Sequence, residues 1–300
     1  MTPDIAGAVV SGIFGLAIGS FLNVCIYRLP RDESIVWPPS HCPHCNARLR
    51  PWDNLPLLSQ LRLRSRCRAC GAHYSWRYFI VELLTGLVFG GLWLIYGPTV
   101  EFALMVLFAA VLIVVFFVDL EHMIIPDQLP LVAAAAGLLK NGYDLVARHS
   151  TSLVSDSSVA KLPGLRPWVH LPIPWTGYSL PIPAAVAGLV LGAAVFILID
   201  LFSQLLFRKE GMGGGDMKLG AAIGAVLGPT LALLSFGLAV VAGAVIGMAL
   251  ILVRLRKRAE YVPFGPFLAV TALAVALAPG AILSGVHGAW LWWIGTWAPQ

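Results

Sequence analysis

The sequence predicts an all-α polytopic membrane protein of about eight transmembrane helices with a small cytoplasmic loop domain. Three observations predict it. Of 300 residues, 58% are hydrophobic and only 12% are charged, and mean hydropathy is +0.82. A soluble domain carries about 25% charged residues. Uncharged apolar runs close to the ~20 residues needed to cross a bilayer recur along the chain. These runs lack the alternating polarity of a membrane β-barrel, so helices must satisfy the backbone inside the lipid.

The spans are read at 5–27, 78–97, 101–118, 129–145, 181–207, 217–233, 234–253 and 264–284. The first run ends in Asn23, Arg28 and Arg31 and reads as a retained span, not a processed leader. The chain divides into a first transmembrane helix at 1–27, a cysteine-bearing cytoplasmic domain at 28–77 and a membrane core at 78–300. Within the core, 146–180 is a long polar connection containing Trp168, His170 and Trp175, expected as a surface loop on the outer side. The tail 289–297, with Trp290, Trp292, Trp293 and Trp297, is expected at the membrane interface.

Charge sets the orientation. Arg28, Arg31, Arg48, Arg50, Arg62, Arg64, Arg66, Arg68 and Arg77 face only Asp32, Glu33 and Asp53 in their stretch. Arg254, Arg256, Lys257 and Arg258 form a second basic cluster. Basic loops stay cytoplasmic. Placing 28–77 in the cytoplasm then puts the segments near Asp119, Arg208 and Arg254 on the same side. Phe102–Val118 is an uncharged run of 17 residues, about 26 Å of helix against a hydrocarbon core of about 30 Å. Asp119 therefore falls at the cytoplasmic boundary.

Cys42-Pro43-His44-Cys45 and Cys67-Arg68-Ala69-Cys70 are two C-x-x-C knuckles separated by 21 residues. Four thiolates at this spacing can close a tetrahedral, zinc-ribbon-like site. Asn46 and Gly71 follow the knuckles as turn residues. Disulfides or free thiols are the alternative, and a cytoplasmic placement argues against disulfides. Four cysteines leave no open position for a reacting water, so zinc here is structural. His41, His44 and His73 read as surface residues, and Cys25 as a buried small hydrophobe. A ribbon rich in arginine can bind nucleic acid, but no aromatic stacking pattern accompanies it, and no nucleic acid is expected.

Two acids border apolar runs. Asp119 ends one, and Asp216 opens another after Gly213-Gly214-Gly215. Acids at membrane depth are functional candidates. A close pair shares one proton: the ionised member accepts a proton from attacking water, and the protonated member polarises a carbonyl. Glycines without Cβ let the backbone turn sharply and approach a substrate strand. A phosphate cradle is disfavoured because Asp216 stands where a lysine and a hydroxyl would be wanted. Each acid alone also fits a helix cap. Asp127, after Pro126, fits a cap best, and Asp200 reads as a hydrogen-bonded partner more than a third site acid. Glu121 reads as solvated. Asn23 and Glu82, at the cytoplasmic ends of the first two spans, fit interhelical bonding and substrate contact equally.

The chain resembles the bacterial type IV prepilin peptidases, which are also amino-terminal methyltransferases. The resemblance rests on Gly19-Ser20-Phe21-Leu22-Asn23-Val24 with Arg28-Leu29-Pro30, on the cysteine knuckles, and on Trp76-Arg77-Tyr78 with Val81-Glu82-Leu83-Leu84-Thr85. It continues through Asp119-Leu120-Glu121-His122 and Ile125-Pro126-Asp127 to Lys209-Glu210-Gly211-Met212-Gly213-Gly214-Gly215-Asp216, with Lys218 and Leu219. It implies a G-x-G-D membrane aspartic protease of the bacterial inner membrane with Asp119 and Asp216 as the catalytic pair. The implied substrates are prepilins and type II secretion pseudopilins, cut after glycine at the cytoplasmic face. The new amino terminus would be N-methylated with S-adenosylmethionine as donor. By position Lys218, Asp127, Asp200 and Glu82 would support the site. The connection 146–180 is longer than the resemblance leads one to expect. No soluble-type glycine-rich motif marks a donor site. Two other readings share these residues: a peptidase without methylation, and a non-enzymatic scaffold or proton-coupled transporter. Transport is disfavoured because both acids fall at one face.

Overall fold

The computed structural model describes residues 4–42, 44–48, 50–150, 167–172, 179–208, 212–253 and 263–285. The helices are α1 at Ile5–Arg28, α2 at Leu58–Leu63, α3 at Arg77–Tyr96, α4 at Val100–His122, α5 at Gln128–Ser150, α6 at Ala184–Phe207, α7 at Gly214–Leu252 and α8 at Gly265–Leu277. Strands β1 (Trp168–Pro172) and β2 (Ser179–Pro183) pair antiparallel, with Val169 opposite Ile182. The chain forms two compact units. One comprises Met1–Ala136 with Tyr261–Ala269, and the other Gly137–Glu260 with Val270–Gln300.

In the first unit α1 packs on α3. Lipid supplies no hydrophobic drive between helices, so close backbone approach and polar contacts must do it. A methyl group on Gly19 would lie 2.7 Å from the Glu82 Cα, so only glycine admits α3 there. Two turns earlier on the same face, the Ser11 hydroxyl donates to the Phe89 carbonyl at 3.0 Å. At the far end, the Asp4 carboxylate caps α1 through the Gly7 N–H at 3.0 Å and accepts the Trp93 indole N–H at 3.1 Å. Helix α4 is the most enclosed span, with Phe108, Val115 and Val118 fully buried.

In the second unit α6 packs on α7 by the same device. A methyl group on Gly188 would lie 2.0 Å from the Gly224 carbonyl oxygen, and one on Gly224 the same distance from that of Gly188. Phe196 and Phe236 close the contact edge to face, 5.0 Å apart. On α5, Lys140 and Asp144 are buried as an ion pair at 3.7 Å, and the Asn141 amide donates to the Pro167 carbonyl at 3.0 Å.

The all-helical membrane architecture stands, with one small hairpin added. Every expected span coincides with helix, and α7 holds two of them. Among the described residues five helices are long and apolar enough to cross a membrane, and the bent pair Gly265–Leu277 with Pro279–Gly285 makes a sixth if it is one span. Helix α5 is not among them; Lys140 and Asp144 lower its apolarity. The expected spans 217–233 and 234–253 both lie in α7, which is two helices meeting at a kink, so only the division between them shifts. Its break lies at Gly228, where φ is +74°, and Pro229 contributes no N–H to the ladder. Within the 146–180 stretch expected as loop, α5 continues to Ser150 and the β1–β2 hairpin follows. Hairpin pairing of Trp168–Pro172 with Ser179–Pro183 gives these backbone groups partners that a bare loop would lack. The cluster at 254–258, the tail at 289–297 and Lys209–Gly211 lie outside the described residues.

Candidate functional site

Asp119 belongs to the first unit and Asp216 to the second. Asp119 is buried on the last turn of α4, 5% exposed. The helix ends when Met123 adopts the left-handed conformation (φ 55°) and its N–H closes on the Asp119 carbonyl at 2.9 Å. The carboxylate lies against the first residue of α8: a methyl group on Gly265 would sit 2.5 Å from Asp119 Oδ2 and 3.1 Å from Ile125 Cδ1. Gly265 was not singled out in the sequence, although Pro263-Phe264-Gly265-Pro266 before an apolar run carries the signal of a tight turn opening a helix. Two residues beyond Asp119, exposed Glu121 forms an ion pair with Arg77 at the start of α3.

Asp216 is the third residue of α7, 6% exposed, and its N–H donates to the Gly213 carbonyl at 3.1 Å. Gly213 is extended (φ −69°, ψ 143°) and Gly214 is already helical. Neither uses the left-handed conformation that favours glycine, which corrects the expectation of a glycine-dependent sharp turn at these two positions. Space is the remaining reason for them. A methyl group on Gly214 would meet nothing within 4 Å, and one on Gly213 would meet only Asp216 Oδ2 at 3.8 Å. Both glycines are exposed, and Gly215 is half-buried. Asp200, on α6, accepts the Met212 N–H at 3.3 Å through Oδ1 and the Gln204 amide at 2.7 Å through Oδ2. It thus ties α6 to the segment that leads into Asp216. Lys218 is exposed on the first turns of α7, and Asp127 is exposed immediately before α5. Glu82 is buried on α3 and accepts the Leu57 N–H at 2.8 Å.

The cysteine loop is built as two copies of one turn. In the first, the Asn46 N–H reaches the Cys42 carbonyl at 2.9 Å and the Cys42 N–H reaches Ala47 at 2.9 Å. In the second, Gly71 and Cys67 repeat this pattern with Cys67 and Ala72, at 2.9 and 2.8 Å. Asn46 and Gly71 take φ of 55° and 71°, as the turn after each knuckle requires. Flanking bridges His41 to Arg48 and Arg66 to His73 complete the symmetry. All four sulfurs lie within 4.8 Å of one another, with Cys42 to Cys70 at 3.9 Å and Cys45 to Cys67 at 4.0 Å. Metal–sulfur bonds of about 2.3 Å in a tetrahedron set sulfur pairs about 3.8 Å apart. The donor set therefore fits one tetrahedral ion, and the separations are far from the ~2.05 Å of a disulfide. The backbone N–H of Cys70, the Tyr74 side chain and the Ala69 N–H lower the Cys67 thiol to about 6, whereas, against the Ala72 N–H, burial and the Cys45, Cys67 and Cys42 sulfurs raise the Cys70 thiol to about 12; sulfurs this close do not all ionise without a cation between them.

A membrane-embedded protein with buried acids at the ends of two helices and a four-cysteine loop after its first span defines a class of intramembrane enzyme more narrowly than either feature alone. Residues 13–96 match the bacterial peptidase A24 N-terminal domain, and residues 165–248 match the type IV leader peptidase family. The chain is 32% identical over 315 residues to a prepilin leader peptidase/N-methyltransferase of Legionella pneumophila, covering 96% of this chain and 94% of the relative. It is 36% identical over 286 residues to that of Aeromonas hydrophila, with 86% of each covered. Against that of Dickeya chrysanthemi it is 33% identical over 307 residues, with 93% of each covered. No solved structure matches the chain. The chain belongs to the type IV leader peptidase family.

Proposed function

We propose that this chain cleaves the leader peptides of type IV prepilins and type II secretion pseudopilins after glycine, and then N-methylates the new amino terminus. The observation that carries the reading is the burial of Asp119 and Asp216 at the ends of apolar helices in a chain of this family. Acting as a pair, one ionised carboxylate takes a proton from water as it attacks the scissile carbonyl. The other, protonated, polarises that carbonyl and later protonates the leaving nitrogen. The roles belong to the pair, not to one residue. Gly213 and Gly214 leave open space in which an extended substrate backbone can run beside Asp216, and Gly215 follows them into the helix. Asp200 holds this segment through Met212. Lys218 supplies a positive charge two residues after Asp216, and Asp127 helps set the turn between α4 and α5.

The four cysteines hold Zn²⁺ in a structural role, since none of the four positions is left for water. Residues 28–77 form the zinc-bearing domain, and 78–300 the protease core. The arginine density of 28–77 supports a cytoplasmic location for it and for the active face, with the protein in the inner membrane of a bacterium. S-adenosylmethionine, when bound, supplies an electrophilic methyl on sulfonium.

The test is cleavage of a purified prepilin by the zinc-loaded full-length protein. Asp119→Asn and Asp216→Asn should each abolish product, with melting temperature and zinc content retained. Cutting that survives either change would remove that residue from the pair. Mass spectrometry of the mature amino terminus tests the second activity: an added methyl is expected, and its absence would reduce the protein to a peptidase.

A further inference from the structure

Helix α2 (Leu58–Leu63) lies between the two cysteine knuckles, and its faces are the reverse of those of a soluble helix. Its polar residues turn inward: Ser59 is 8% exposed, and Gln60 joins it in lining the cavity beside Asn23 of α1 and Glu82 of α3. Its leucines turn outward: Leu58 is 65% exposed and Leu61 60%. Residues three and four apart share a helix face, so Leu58, Leu61 and exposed Arg62 form one outer stripe. Leu55, just before the helix, and Trp52, on the 3₁₀ turn Pro51–Asn54 that packs on it, are exposed as well. A single exposed leucine needs no explanation, but an outward apolar face rimmed by charge marks an interaction surface.

The same helix is held at membrane depth. Helix α1 ends at Arg28 and α3 starts at Arg77, so both ends of the loop that carries α2 emerge from candidate spans. The 20 residues of α3 make about 30 Å of helix, the thickness of the hydrocarbon core. Glu82 lies five residues after Arg77, about 7.5 Å along the axis. Its carboxylate accepts the N–H of Leu57, the residue before α2, at 2.8 Å. Leu57 has φ of 58°, a conformation that non-glycine residues rarely adopt, and the Glu82 bond secures it. Helix α2 therefore begins beside the second turn of a spanning helix, not out in the solvent. Interfacial helices bury their apolar face ~5–10 Å into the headgroup–acyl boundary, which is the same level. Trp76, exposed immediately before α3, sits where interfacial tryptophans collect.

Charge selects the occupant. Arg68 pairs with Asp53, Arg77 pairs with Glu121, and Arg28 is bound to the carbonyls of Ser34 and Pro38. Arg62, Arg64 and Arg66 are exposed and have no acidic partner among the described residues. A second copy of the chain would bring the same three cations against them, which like-charge repulsion disfavours. Lipid phosphates match both their charge and their fork of donors. We propose that α2 is an interfacial helix that binds anionic phospholipid. Leu58 and Leu61, with Leu55 and Trp52 beside them, enter the headgroup–acyl boundary of the bilayer that α1 and α3 cross, and Arg62, Arg64 and Arg66 hold lipid phosphates. Because α2 lies between the knuckles, this contact anchors the four-cysteine loop to the membrane surface.

The test compares lipids around the same full-length protein. It is reconstituted in nanodiscs of phosphatidylcholine alone and of phosphatidylcholine with phosphatidylglycerol, and amide hydrogen exchange of 58–63 is followed by mass spectrometry. Each arginine near an anionic surface favours binding by about fivefold, so these amides should exchange at least about tenfold more slowly in the anionic discs. High salt should shrink the difference. Combining Arg62→Gln, Arg64→Gln and Arg66→Gln should abolish it with the melting temperature retained. p-Benzoylphenylalanine in place of Leu58, irradiated in membranes, should give a phospholipid adduct at that residue. Equal exchange of wild type in the two kinds of disc overturns the lipid site. So does a crosslink at this position to a second copy, or to another polypeptide, which would give the face to a protein partner.

Discussion

Asp119 and Asp216 are equally buried, but they are held in opposite ways. Asp216 stands at the beginning of its own helix, three residues after the cap, with its N–H closed on Gly213 and its approach segment tied by Asp200. Its surroundings are local, and exposed glycines keep them open. Asp119 stands at the end of its helix and rests against Gly265, 146 residues later by position number. One acid is positioned by its own loop. The other depends on a distant helix start that leaves no room for a side chain. Substitutions next to Asp119 should therefore disturb the carboxylate, whereas substitutions next to Asp216 should disturb what approaches it.

The largest separation between the two stations is expected from single methyl groups. Gly265→Ala places a carbon 2.5 Å from Asp119 Oδ2, and the short buried side chain must give way. A displacement near 1 Å can cost about 10²-fold in rate, so kcat for prepilin cleavage should fall on that order with KM little changed. Gly214→Ala meets nothing within 4 Å. The melting temperature should hold, and the effect should be a several-fold rise in KM as the added methyl intrudes on the substrate path. Steady-state kinetics on both variants decides the matter: a kcat defect for Gly214→Ala, or full activity for Gly265→Ala, would break the contrast.

A smaller effect is expected from Asp200→Ala. It removes the acceptors of the Met212 N–H and the Gln204 amide, each worth about 1 kcal/mol. Loosening the segment before Asp216 should lower cleavage by about tenfold. Asp200→Asn keeps an oxygen acceptor for Met212 and should recover most of that loss. Equal damage from both would mean that Asp200 works through its charge rather than by holding the loop.

The same contrast explains what the sequence made readable. Asp216, its glycines and the cysteine knuckles are short-range patterns, and each is formed by neighbours within a few residues. The turns at Asn46 and Gly71 follow from chemistry carried inside eight-residue stretches. The helices were readable for a different reason, because lipid demands long uncharged runs. What could not be read was contact between distant segments. Gly265 beside Asp119, and the Leu57 N–H on Glu82, come together only through packing. The break in α7 shows a third case: apolarity continues through 214–252, so hydropathy alone put the division near 233, whereas backbone geometry put it at Gly228-Pro229. Lys140 and Asp144, both inside the expected span 129–145, mark α5 in the sequence as unlike the other spans.

The least effect is expected at Glu121, close in sequence to Asp119. Its ion pair with Arg77 is partly solvent-exposed, with 38% of the Glu121 side chain accessible, and exposed pairs contribute about 0–1 kcal/mol after screening. Glu121→Gln should therefore leave the melting temperature within a few degrees of wild type. Because Asp119 is positioned by Gly265 and the α4 terminus, kcat should also stay within about twofold of wild type, an effect no larger than loss of a surface pair permits. Prepilin cleavage measured at low and high salt gives the check. A large, salt-sensitive loss of kcat would mean that the ion pair, rather than the α8 start, holds the end of α4, and the long-range account of Asp119 would have to be moved from Gly265 to Arg77.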